Sequence, residues 1–170
     1  MKSSFLLTSL CSLVLIVGCS KKETAAPAAP SSAAPAPAAA AAQGARVINI
    51  DASDTMKFSV TRIEATPGES LKVALHNKGT LPKEAMGHNW VLLKAGTDPL
   101  AFCTAAVAAK ATDYIPAAES SKVIVHTKLL GPKQVDEVSF KAPTEPGEYP
   151  FVCSFPAHAM SGMKGVLVVK

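Results

Sequence analysis

Residues Tyr149 to Val169 read YPFVCSFPAHAMSGMKGVLVV. The apolar run Tyr149–Val152 carries Cys153 to the end of a buried strand. A turn-rich loop with Pro156 and Gly162 follows, and a second apolar run, Gly165–Val169, leads back into a sheet. Between the runs lie one thiol, one imidazole and two thioethers: Cys153, His158, Met160 and Met163. A loop pinned by two strand ends brings such side chains to one point. A thiolate, two imidazoles and a weak axial thioether suit a soft one-electron metal, and copper is the natural occupant. The second imidazole must come from elsewhere in the chain. Of the other three histidines, His88 in MGHNWVLL is placed best, where a turn opens into an apolar strand. A lone cysteine is most often a buried structural thiol; His158 and Met163 nearby reverse that for Cys153.

Four segments together carry a family resemblance: LPKEAMGHNWVL (81–92), VIVHTKLLG (123–131), CSFPAH (153–158) and MKGVLVV (163–169). On these the chain from about Arg46 to Lys170 resembles the azurin-type cupredoxins, small blue copper electron carriers. A Cys-x4-His pair alone is a weak signal; the upstream GHNW, the downstream Met and the strand pattern make it specific. Azurins place three residues between the loop histidine and the axial methionine. Here four separate His158 from Met163, a spacing that resembles the auracyanins.

The resemblance implies an all-β Greek-key sandwich or barrel of about eight strands with a short helical flap. It implies one type I copper held by His88, Cys153 and His158, with Met163 axial and the Gly87 carbonyl opposite it. It further implies that the backbone N–H groups of Asn89 and Phe155 point at the Cys153 sulfur, and that the Asn89 side chain ties the two ligand loops. An apolar docking surface of Leu81, Pro82, Met86, Phe155, Pro156, Ala157 and Met160 is implied around an exposed His158 edge. Ala157 stands where azurins commonly have glycine. A buried histidine of azurins maps to Asn77, leaving His76 on the opposite strand face. The azurin N-terminal disulfide has no cysteine to form it.

The 170 residues carry a net charge of +4, and the basic residues are scattered. That excludes a nucleic-acid footprint. The beginning of the chain reads as a bacterial lipoprotein leader over 1–18. Lys2 is followed by the apolar run Phe5–Val17, too short for a trusted membrane span, and by Ile16-Val17-Gly18-Cys19, which matches the lipobox. Cys19 would become the lipidated first residue, and Ser20 after it resembles the outer-membrane pattern of Gram-negative lipoproteins. Cys11 would be discarded with the leader. Residues 19–45 form a disordered Ala/Pro-rich tether, reaching roughly 80 Å if extended and nearer 30 Å as a coil. Residues 46–170 form the cupredoxin domain. Cys103 is expected to be a free, semi-buried thiol.

Turn residues punctuate strands at Val47–Ile50, Lys57–Ala65, Leu71–His76, Asn89–Leu93, Lys122–Thr127, Glu137–Phe140, Gly147–Cys153 and Lys164–Val169, which predicts an antiparallel sandwich. PLAFCTAAVAAK, Pro99 to Lys110, predicts a helix capped by Asp98. Trp90 should be core and His126 an exposed strand residue. The function expected is a membrane-tethered, monomeric carrier of single electrons between redox proteins of the cell envelope, facing the periplasm, and not an enzyme. The alternatives are a copper storage or delivery lipoprotein, and a module acting with a copper enzyme such as a nitrite reductase. Zinc, which favours four close ligands, is a further occupant to weigh.

Overall fold

Alternation builds the core. On strand β4 (Ser70–Asn77), Leu71, Val73, Leu75 and Asn77 point inward, and on β8 (Gly147–Val152) Tyr149 and Phe151 do the same. They close around Trp90, wholly buried with ring centroids 5.4 Å from Phe151 and 6.0 Å from Phe140. Burying each of these side chains contributes about 1.5–3 kcal/mol. The computed structural model describes residues 44–170. The expected leader 1–18 with Cys11, the expected lipidation at Cys19 and the expected linker up to residue 43 lie outside the described residues.

The remaining strands are β1 (Arg46–Ser53), β2 (Lys57–Phe58), β3 (Arg62–Ala65), β5 (Val91–Leu93), β6 (Val123–His126), β7 (Val135–Lys141) and β9 (Lys164–Val169). They form two sheets, in the orders β2-β1-β4-β7 and β3-β9-β8-β5-β6. The chain is all-β in this sense. The structure corrects three expectations. First, Lys57–Ala65 is two strands in different sheets, giving nine strands rather than eight. Ser59 ties the break to β1, its N–H donating to the Asp51 carbonyl at 2.9 Å and its hydroxyl accepting from Asp51 N–H at 2.8 Å. The chain then crosses so that Phe58 and Ile63 reach the core from opposite sheets. Second, the pairing is mixed rather than antiparallel: β1 runs parallel to β4, and β3 parallel to β9.

Third, the predicted helix ends four residues early. Helix α2 spans Pro99–Ala106, with the Asp98 carboxylate accepting from Leu100 N–H at 2.8 Å and Ala101 N–H at 3.3 Å. Beyond Val107 the chain tightens into a 3-10 turn at Lys110–Thr112, which lets Tyr114 turn inward. On the inner face of α2, Phe102 and Cys103 cover Val91, Leu93, Val152 and the ligand-loop residue Ala159, while Ala106 joins the main core. A one-turn helix α1, Lys83–Met86, leads into the MGHNW segment and carried no clear sequence signal.

Candidate metal centre

Two strand-anchored segments converge at one end of the sandwich. His88 is locked to Leu130 by a pair of backbone bonds, His88 N–H to Leu130 O at 3.1 Å and Leu130 N–H to His88 O at 2.7 Å. Cys153 extends the β8–β9 ladder, its N–H donating to Met163 O at 3.0 Å. The loop between them folds as a compact turn: His158 N–H donates to Phe155 O, Ser161 N–H to Ala157 O, Gly162 N–H to Ala159 O and Met163 N–H to His158 O. The extra residue between His158 and Met163 is taken up within that turn, where Gly162 has a φ of +96°.

The turn delivers its donors inward. Cys153 Sγ lies 3.4 Å from His158 Nδ1 and 4.0 Å from His88 Nδ1, and the three donor atoms all fall within 4.8 Å of one another. The Gly87 carbonyl oxygen is 4.0 Å from the same sulfur. Met163 is wholly buried, whereas Met160 is 72% exposed. The glycine at 87 answers to a close approach rather than to its dihedrals: a Cβ there would meet the Lys83 carbonyl at 2.7 Å and Leu129 Cγ at 3.0 Å.

Burial dominates the electrostatics. It pushes the Cys153 thiol up to about 12, while the backbone N–H groups of Asn89 and Phe155 act the other way by favouring its ionised form. It draws His158 down to about 4, with His88 adding to the effect, and lowers His88 too, although the Asp54 carboxylate and the Ser53 carbonyl act the other way. His88 Nδ1, His158 Nδ1 and the Cys153 thiol therefore face one another in a buried pocket. Two imidazoles and a thiol, costly to bury without partners, fit a soft cation that takes nitrogen and sulfur donors.

The other candidates fall as follows. Asn89 is fully buried; its Oδ1 accepts from Ser154 N–H at 2.8 Å and its Nδ2 donates to Ser154 Oγ at 2.8 Å, joining the two loops. Leu81, Ala157 and Met160 are exposed, Met86 and Pro156 half-buried, and Phe155 only 8% exposed. His158 is 2% exposed and sandwiched between the rings of Phe155 (4.6 Å) and His88 (4.9 Å), so the implied exposed edge is covered. Ala157 has a φ of +69°, the conformation for which a glycine is the easier residue. His76 bonds Asn49 Oδ1 on the outer face, while buried Asn77 donates to the Leu130 carbonyl and accepts from Gly79 N–H. His126 is exposed.

Sequence reasoning missed two contributors. Ser154, inside the CSFPAH segment, is the reciprocal partner of Asn89. Asp113, 24 residues away and in no motif, receives a bond from the same amide through its carbonyl. Cys103 is the free thiol expected; burial pushes it up to about 12, and it lies 3.8 Å from the Cys153 carbonyl.

The comparisons agree with this geometry. Residues 45–170 match the family described as copper binding proteins, plastocyanin/azurin family. An azurin of Pseudomonas chlororaphis is 39% identical over 127 residues, covering 72% of this chain and 97% of the azurin. An azurin of Bordetella pertussis is 37% identical over 123 residues, 71% of this chain and 81% of its own length. Among solved structures, the dithionite-reduced auracyanin of Roseiflexus castenholzii superposes with a TM-score of 0.66 at 33% identity, over 75% of this chain and 99% of that one. Auracyanin A of Chloroflexus aurantiacus, titled a "blue" copper protein, gives 0.66 at 29%, over 75% and 100%.

Proposed function

Because the chain belongs to the plastocyanin/azurin family of copper-binding proteins, we propose that it is a type I copper electron carrier, tethered through Cys19 to a membrane and passing single electrons between redox proteins of the cell envelope. The observation that best supports this is the convergence of His88 Nδ1, Cys153 Sγ and His158 Nδ1 in one buried pocket. These three would hold copper, with Met163 and the Gly87 carbonyl beside them. Bound copper supplies a one-electron couple and the thiolate absorption. The protein does the rest. Two sheets and the Asn89–Ser154 pair hold the donors in one arrangement, so electron gain or loss meets little rearrangement. The Asn89 and Phe155 N–H groups draw charge from the sulfur, which favours the reduced state. A visible spectrum tests the reading: intense blue on oxidation that bleaches on one-electron reduction supports it, and a copper-loaded protein that stays colourless on oxidation overturns it. Membrane fractionation of the expressed full chain tests the tether and its periplasmic face.

Met163, wholly buried and bonded through its carbonyl to Cys153 N–H, would be the weak fourth donor to copper in this reading, and exposed Met160 would not. Met163→Leu should leave the protein blue and raise its reduction potential, because losing a weak axial bond destabilises Cu(II) more than Cu(I). Leucine fills the same space at a cost below about 1.5 kcal/mol. Met160→Leu should move the potential far less, and potentiometry showing the reverse ranking would reassign the ligand.

Electrons leave, in this reading, through an apolar face to which Leu81, Met86, Pro156, Ala157 and Met160 contribute; the exposure of Leu81, Ala157 and Met160 supports it, and such a face suits brief docking. Met160→Lys and Ala157→Asp should each slow exchange with a redox partner by up to about tenfold, equivalent to about 1.4 kcal/mol. Aspartate tolerates the left-handed backbone at 157, so the fold and the blue band should survive. Unchanged rates in both variants, with rates responding instead to distant lysines, would rule this face out.

A further inference from the structure

Asp113 and Tyr114 are both left-handed, with φ of 54° and 62°. Aspartate tolerates that conformation, but a bulky tyrosine is disfavoured in it, so two in succession persist only where the surroundings hold them. The hold is on three sides. Tyr114 N–H donates to Ala109 O at 2.9 Å, the Thr112 hydroxyl donates to Ile115 O at 2.7 Å, and the Tyr114 ring packs edge-on against Phe155 at 5.1 Å.

Strained backbone of this kind gathers at functional sites, and here it reaches the supports of the metal centre. The Asp113 carbonyl accepts from Asn89 Nδ2 at 3.1 Å. Its carboxylate accepts from Leu129 N–H at 3.5 Å and faces the Lys83 ammonium at 3.4 Å. Leu129 precedes the Leu130 that is bonded to His88, and its side chain packs against Gly87. The bond to Asn89 has a further consequence. The Asn89 amide gives its oxygen to Ser154 N–H and its nitrogen to both Ser154 Oγ and Asp113 O. A flipped amide would set oxygen against the Asp113 carbonyl and N–H against the Ser154 N–H. The Asp113 carbonyl and the Ser154 N–H therefore select together one orientation of the Asn89 amide, next to His88, while Tyr114 braces Phe155; the backbone N–H groups of these two residues, Asn89 and Phe155, favour the ionised Cys153 sulfur.

We propose that Asp113 and Tyr114 are a positioning pair for the metal centre. Their left-handed backbone aims the Asp113 carbonyl at Asn89 and seats Tyr114 on Phe155, which holds from outside the donor set the two N–H groups directed at the Cys153 sulfur. The pair touches no donor atom. It rests on the copper reading above only in what the held N–H groups act upon.

The test uses the full chain, copper-loaded and reduced, with amide hydrogen exchange followed residue by residue and the reduction potential measured alongside. Asp113→Val, β-branched and ill-suited to the left-handed region, should speed exchange at Asn89 and Phe155 by about tenfold relative to the sheet amides of Leu75 and Val91. It should also lower the potential, since weaker N–H bonds leave more charge on the sulfur. Asp113→Asn and Asp113→Gly, which keep the conformation, should behave as the parent in both measurements. Tyr114→Gly, which keeps the conformation and deletes the ring, should speed Phe155 and spare Asn89. If Asp113→Val does not fold, Asp113→Ala should show the same order with smaller size. An unchanged Asn89 to Leu75 exchange ratio, a uniform acceleration of all four amides, or equal effects in all the Asp113 variants overturns the proposal. A parent protein that does not turn blue when the copper-loaded sample is oxidised overturns the copper reading instead, and leaves the exchange ratios to judge the pair.

Discussion

Cys153→Ser should remove the intense visible absorption of the oxidised, copper-loaded protein altogether. The band requires a thiolate donor, and a serine oxygen at the same place supplies neither the soft ligand nor the low-energy charge transfer. The sulfur sits at zero exposure, 3.4 Å from His158 Nδ1 and 4.0 Å from His88 Nδ1, and it is the only thiol of that cluster. Copper affinity should fall by more than the roughly 10–100-fold typical of losing a hydrogen-bond partner outside the donor set. The fold should persist, since the change is nearly isosteric and Cys153 N–H still bonds Met163 O. Absorption spectroscopy and copper titration of Cys153→Ser and Cys103→Ser decide the point. A Cys153→Ser protein that stayed blue while Cys103→Ser lost its colour would mean that the wrong thiol has been identified.

Gly165→Ala should be the most destabilising single methyl in the described residues. A Cβ at 165 would land on Phe151 Cζ and on the Thr61 carbonyl oxygen. Neither can yield cheaply. Phe151 is wholly buried against Trp90 and Phe58, and the Thr61 carbonyl is fixed by Val166 N–H at 2.9 Å, at the start of the parallel β3–β9 pairing. Overpacking against backbone belongs at the upper end of the usual range, about 3 kcal/mol, which for a domain of this size lowers Tm by about 10 °C. Gly147→Ala, at the other end of the same β8–β9 ladder, meets nothing nearer than 3.8 Å and should change stability by less than about 0.5 kcal/mol. Thermal unfolding of the two variants side by side tests this. Similar Tm values for Gly165→Ala and Gly147→Ala would show that the β3–β9 crossing is looser than described.

The sequence alone determined what is local along the chain. The loop from Cys153 to Met163 begins and ends on strands that pair with each other, so short-range spacing sufficed to bring its sulfur and imidazole together. Asp98 announced its helix because a carboxylate before Pro99 has only the next free N–H groups to bond. Tertiary structure decided what depends on the approach of distant segments. The alternation through Lys57–Ala65 reads the same whether the chain stays in one sheet or crosses to another, and side-chain period is silent about whether β1 meets β4 parallel or antiparallel. The helix ended at Ala106 because a buried Tyr114 needed Phe155, a residue 41 positions on. Asp113 is an ordinary polar residue in sequence. It became a support of the metal centre because a left-handed backbone, held by packing, turned its carbonyl toward Asn89.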